Sequence, residues 1–158
     1  MSLSGEGNLA EEIIQSTPQL RRAKEQDLAF VRSLIQDLES EEVNQDQFSA
    51  TFLHNLHRPE IFYHIICHQN KPVGFVSLHV ENLLHHWGKV AEIQELIIHR
   101  DARGKGIGKW VLDQMIVSAR MQECKLIELC TNKKRIDAQR FYRNAGWNES
   151  HFKYTFEL

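Results

Sequence analysis

The amino-acid sequence predicts a mixed α/β fold. Three observations carry that reading: apolar residues recur with a 3.6-residue period in several segments, apolar runs of strand length stand between them, and one such run breaks into a glycine-rich turn that opens directly into a helix. In order, the predicted elements run β-α-α-β-β-β-α-β-α-β. With 158 residues, the chain is expected to form one domain over residues 18–158 behind a polar tail, 1–17, anchored only by Ile13 and Ile14.

Each element has a local reason. Gln19 to Ala23 is short and mixed, an edge strand. Asp27 opens a helix whose Leu28, Val31, Leu34, Ile35 and Leu38 keep the helical period, and acid gathers after it at Glu39, Glu41 and Glu42. A second helix, Gln45 to about His57, is carried by Phe48, Phe52, Leu53 and Leu56 and stopped by Pro59. Ile61 to His68 and Val73 to Val80 read as a hairpin around Gln69-Asn70-Lys71-Pro72, and residues 82–88 as a loop. The strand Val90 to Ile98 leads into the glycine turn and a helix to about Met121, with Val111, Leu112, Met115, Ile116 and Ala119 on one stripe. A strand from Leu126 to Thr131, a helix from Asp137 to Asn144 stopped by Gly146, and an alternating strand from Phe152 to Phe156 complete the chain.

Composition narrows the function classes. The formal net charge is -2, so there is no cationic field of the kind that gathers nucleic acid or an anionic membrane. Hydrophobic residues make up 42% and charged residues 25%, which is ordinary for a globular protein and argues against disorder. No apolar run has the eighteen or so residues that span a bilayer. Cys67, Cys124 and Cys130 are odd in number, widely spaced and set among apolar neighbours, which reads as reduced core thiols in a cytoplasmic protein.

The glycine turn is the most informative stretch. Gly104, Gly106 and Gly108 alternate with Lys105 and Ile107, so the backbone is free to take positive φ and bare its N–H groups at a helix N-terminus. Arg103, Lys105 and Lys109 add full positive charge, and the turn is suited to an anion such as phosphate. A Walker loop is excluded because Trp110 follows Lys109, and a dinucleotide fingerprint fails because Lys109 stands where its third glycine belongs.

What fits is Arg103-x-x-Gly106-x-Gly108 directly after a strand bearing Glu92, Gln94 and Glu95. This resembles the pyrophosphate signature of the GNAT family of N-acetyltransferases, which bind acetyl-CoA. The element order is similar to the GNAT fold from about Leu20 to Leu158, which implies a mixed central sheet with splayed central strands, flanked by helices, and here an abbreviated C-terminal strand pair. The resemblance implies cofactor contacts at Arg103, Gly104, Lys105, Gly106, Ile107, Gly108 and Lys109. It also implies that the pantetheine arm pairs with the backbone of Leu96, Ile97 and Ile98 as an added strand would. Many family members carry an Asn three residues before the motif alanine; Arg135 stands there, and Asn132, further upstream, is the substitute candidate for a cofactor contact.

Acetyl transfer to an amine needs a base, because an aliphatic ammonium with a pKa of roughly 10 is protonated at neutral pH. Carboxylates in an apolar strand are either paired, solvated or working, and the resemblance implies that Glu92 is the general base. It likewise implies that Tyr142, within Ala138-Gln139-Arg140-Phe141-Tyr142-Arg143-Asn144-Ala145-Gly146-Trp147, is the general acid toward the departing sulfur. Its bland alternative is a core aromatic.

The acceptor is a small-molecule amine in this reading. Val76-Ser77-Leu78-His79, His85-His86, Glu92 to Leu96, Glu128 to Ala138 and Ser150-His151-Phe152 resemble the aminoalkylphosphonate N-acetyltransferases, which implies substrate contacts at His79, His85, His86 and Arg135. Lys133 to Arg135 suits cofactor phosphate, an anionic substrate or plain solvent equally. A divalent metal bridging a phosphonate would draw on His54-x-x-His57 or His85-His86, but neither has strong ligand spacing. A polyamine, aminoglycoside or protein-lysine acetyltransferase and a non-catalytic acetyl-CoA sensor are the rivals; a homodimer is compatible with all of them.

Overall fold

A computed structural model describes residues 16–39 and 42–158. Ile13, Ile14 and Glu41, named above, lie outside the described residues. One five-stranded sheet has the order β1 (Gln19–Arg22), β2 (Ile61–His68), β3 (Lys71–Leu83), β4 (Gly88–Ile98) and β5 (Leu126–Leu129). The first four strands are antiparallel to their neighbours, and β5 runs parallel to β4. Parallel pairing requires a crossover, supplied by α3 (Ile107–Met121).

The sheet is covered on both faces. On one, the apolar stripe of α3 (Ile107, Val111, Leu112, Met115 and Ala119) packs on Val76, Leu78, Val80, Ala91 and Ile93. On the other, Val31 and Leu34 of α1 (Leu28–Leu38) and Phe52 of α2 (Gln45–Leu56) pack on Tyr63, Ile65, Phe75 and Ile97. Each such fully buried aliphatic or aromatic side chain contributes about 1.5–3 kcal/mol. α4 (Ile136–Asn144) lies beside α3, its Phe141 and Tyr142, and Ala145 and Trp147 just after it, half-buried against the first cluster. At the sheet edge, Arg21 grips Asp27 with two hydrogen bonds of 2.7 Å, tying β1 to the start of α1 and holding the Asp27 carboxyl below its ordinary range.

Several predicted boundaries shift for non-local reasons. Gln69 and Asn70, at φ 51° and 58°, make a two-residue turn, so β3 begins at Lys71 rather than Val73. The expected loop over 82–88 is shorter than read: Asn82, Leu83 and Gly88 belong to the ladder, and Leu83 pairs with Gly88 around a single turn of 3-10 helix, Leu84–His86. The expected C-terminal strand does not form. Residues 148–158 have no regular structure, and Phe152, Tyr154 and Phe156 are 77%, 91% and 89% exposed. Alternation permits a strand, but a strand also needs a neighbour to pair with. Cys130, read as a core thiol, is exposed.

Candidate active site

The glycine turn follows β4 through a 3-10 turn, Arg100–Ala102. Gly104 and Gly106 both take φ 75°, a left-handed conformation costly for other L-residues, and a Cβ at either would meet nothing within 4 Å. Glycine is therefore needed here for backbone direction and open space. Gly108 serves differently, since a Cβ there would lie 3.1 Å from Phe141 Cζ; its bare Cα lets α4 seat against the first turn of α3. Among the described residues, no backbone N–H from Gly104 to Lys109 has an acceptor, and the first helical backbone bond is Trp110 N–H to Gly106 C=O. Free donors, a helix N-terminus and the exposed Lys105 make a donor set that fits a phosphate chain. Ile107 is 2% exposed, so only its main chain faces that set, and Lys109 is held on Asp113 at 2.9 Å.

Arg103 joins this turn to the sheet by donating its Nε–H to the Ile98 carbonyl at 2.9 Å. That carbonyl lies on an open edge. The β4–β5 ladder covers only Val90–Ile93 against Leu126–Leu129, and beyond Ile93 the strand has no partner on that side. Alternation fixes which groups are free: the His99 N–H bonds to Val73 C=O and the Glu95 N–H to Ser77, both toward β3. The N–H and C=O groups of Leu96 and Ile98 therefore point into the gap, and Ile97 toward β3. This is the splay expected between the central strands.

A bulge begins the open stretch. Ser77 pairs with Glu95 and Leu78 with Ile93, leaving Gln94 as the extra residue. Ser77, fully buried, accepts the Glu95 N–H at 3.1 Å and donates its hydroxyl to the Glu95 carboxylate. Glu95 is thus paired and structural. Sequence reading missed this lock, although a Ser inside the run Gly74 to Val80 was a visible signal.

Below the bulge, register sets His79, Glu92 and Glu128 side by side on β3, β4 and β5. All three line one cleft with Glu81, Leu83 and Val90. The His79 Nε2 is buried without a partner, and its ring stands 6.2 Å from that of Tyr63, whose hydroxyl accepts from Asn55 at 2.8 Å. His85 and His86 fall elsewhere, on the hairpin turn beyond Gly88, four residues or about 14 Å along β4 from Glu92.

On α4, Tyr142 is half-buried beside Phe141 and Trp147, and burial raises its hydroxyl pKa, partly offset by the charge of Arg135. Arg135 reaches back to α1, donating to Leu38 C=O at 3.3 Å and standing 3.5 Å from Glu39. Asn132 spends its side-chain oxygen on the Lys134 N–H at 2.9 Å, shaping the turn before α4. Among the described residues, no group of three or more His, Cys, Asp or Glu is placed to hold a metal, and no helix is long and apolar enough to cross a membrane.

Comparison with known proteins agrees with this geometry. The family model described as the acetyltransferase (GNAT) family matches residues 28–147. An aminoalkylphosphonate N-acetyltransferase of Salmonella typhimurium is 38% identical over 140 residues, covering 89% of this chain and 91% of the relative. Among solved structures, a protein described as a transcriptional regulator from Bacillus halodurans superposes with a TM-score of 0.82 at 26% identity, covering 90% of this chain and 100% of that one. A putative acetyltransferase from Agrobacterium tumefaciens superposes at 0.77 and 23% identity, covering 89% and 99%. The chain belongs to the GNAT family and is an N-acetyltransferase.

Proposed function

We propose that this enzyme transfers the acetyl group of acetyl-CoA to the primary amine of a small aminoalkylphosphonate. The observation that carries the transfer is the continuity of the open β4 edge with the glycine turn, joined by the Arg103–Ile98 bond. Acetyl-CoA supplies an acyl group activated as a thioester. The free N–H groups of Gly104 to Lys109 hold the diphosphate, and the outward-facing edge of Leu96 and Ile98 aligns the pantetheine arm as a neighbouring strand would be aligned. A Leu96 N–H facing the gap meets the charge that develops on the acyl oxygen.

Glu92 removes the ammonium proton, directly or through a water, so that the nitrogen can attack. Tyr142, kept protonated by burial, gives its proton to the departing thiolate, and the second proton that the nitrogen sheds as the amide forms restores the tyrosine hydroxyl. The acceptor class rests on the 38% identical relative, and the basic turn Lys133 to Arg135 suits the phosphonate end. Thiol release over a panel of aminoalkylphosphonates, polyamines, aminoglycosides and lysine peptides tests the reading. Aminomethyl- or aminoethylphosphonate should give the highest kcat/KM; a polyamine or peptide ahead of both would overturn it.

A further inference from the structure

The cleft beside Glu92 has a charge balance that the reaction as described leaves unused. Glu92 and Glu128 are register partners on adjacent parallel strands, so their Cα atoms are separated by one strand spacing, about 4.8 Å, and both side chains line the same cleft. Glu81 lines it too. Among the described residues none of these three carboxylates has an ion-pair partner, and no lysine or arginine lines the cleft. On the other side of Glu92, His79 presents a buried Nε2 with no hydrogen-bond partner. A row that holds adjacent unneutralised carboxylates and an idle imidazole nitrogen is complementary to a hydrogen-rich cation.

Resting on the function proposed above, we infer that Glu128 is a specificity-determining residue: with Glu92 it receives the acceptor's ammonium group, and His79 accepts a further N–H from the same nitrogen. Two carboxylates across one strand spacing attract the protonated amine more strongly than either alone. When Glu92 takes one proton, Glu128 retains the nitrogen within reach of the acyl carbon. The cleft therefore recognises the cationic end of the acceptor, and the phosphonate lies outside it, because a dianion beside Glu81 and Glu128 would be repelled. The acetylated product carries no positive charge, so the same row that gathers substrate has no such hold on product.

The test is Glu128→Gln, which keeps size and removes charge. With the best acceptor from the panel, the amine KM should rise about 10- to 100-fold while the acetyl-CoA KM stays within about two-fold. Inhibition by the N-acetylated product, which lacks the ammonium, should be unchanged. Glu128→Asp should restore part of the amine affinity, and circular dichroism melting of both variants should match wild type. An unaltered amine KM in Glu128→Gln, or equal weakening of amine and acetylated product, would overturn the assignment. If the wild type acetylates polyamines but no aminoalkylphosphonate, the acceptor class falls while the Glu128 experiment, run with the polyamine, still decides this inference.

Discussion

Replacing Ser77 by alanine probes the bulge that begins the open edge of β4. Ser77 is 0% exposed, and its hydroxyl has two partners, the Glu95 N–H at 3.1 Å and the Glu95 carboxylate. The extra residue Gln94 takes the Glu95 N–H out of register with any β3 carbonyl, so alanine leaves that buried donor without an acceptor. An orphaned buried donor costs about 1–3 kcal/mol, and the carboxylate loses a charge-assisted bond besides. Taking about 2 kcal/mol, and a shift of about 2–4 °C per kcal/mol for a chain of this size, thermal melting should fall by about 4–8 °C. Urea denaturation of Ser77→Ala, Glu95→Gln and the double variant would show whether the two residues act as one unit, with a coupling of at least about 0.5 kcal/mol. Melting within about 1 °C of wild type, or strictly additive losses, would refute the account of the bulge.

Other expectations follow from the same geometry. Glu92→Gln and Tyr142→Phe should each lower kcat by about 10²-fold or more with acetyl-CoA affinity retained, measured by thiol release and calorimetry; turnover near wild type would remove both from the chemistry. Gly106→Ala places a side chain on a residue at φ 75° within the row of free donors, so it should weaken CoA binding at least about ten-fold while costing about 1–2 kcal/mol of stability. His64 is half-buried beside Arg22, and desolvation first, then the Arg22 charge, push its pKa down from 6.5 to about 4. The unfolded chain then binds the proton first, so this contribution is intact above pH 6.5 and is lost as pH falls toward about 4, by up to about 3 kcal/mol. Urea midpoints at pH 7.5 and 4.5 should converge in His64→Gln; an unchanged gap would refute it.

Local patterns made much of this fold legible. The helical stripes of α1 and α3, the Asn70 turn and the glycine turn are each settled by residues within one or two turns of one another, and sequence spacing reports such contacts directly. The positive φ at Gly104, Gly106 and Gly146 follows from the same local logic. What sequence did not show depends on which residues meet across strands. The Ser77–Glu95 lock, the row His79, Glu92 and Glu128, and the ladder that reaches Leu83 and Gly88 are register facts, and register is set by partners far away in the chain. Phe152 to Phe156 shows the converse, an ideal alternating pattern with nothing paired alongside it. The bond from the Lys134 N–H to the Asn132 side chain likewise has no signature beyond an Asn two residues before a lysine.

The Arg103 guanidinium has one nitrogen on the Ile98 carbonyl and belongs by sequence to the loop that begins the next helix. Strand and loop are thereby clamped as a single jig, so under the proposed function the two ends of a long flexible donor molecule are gauged by one rigid part. The wall formed by His79, Glu92 and Glu128 stands on the far side of the Gln94 bulge, outside that clamped part. Remodelling that wall to suit a different amine leaves the measuring part untouched, which is the freedom a scaffold needs to serve many nucleophiles with one reagent.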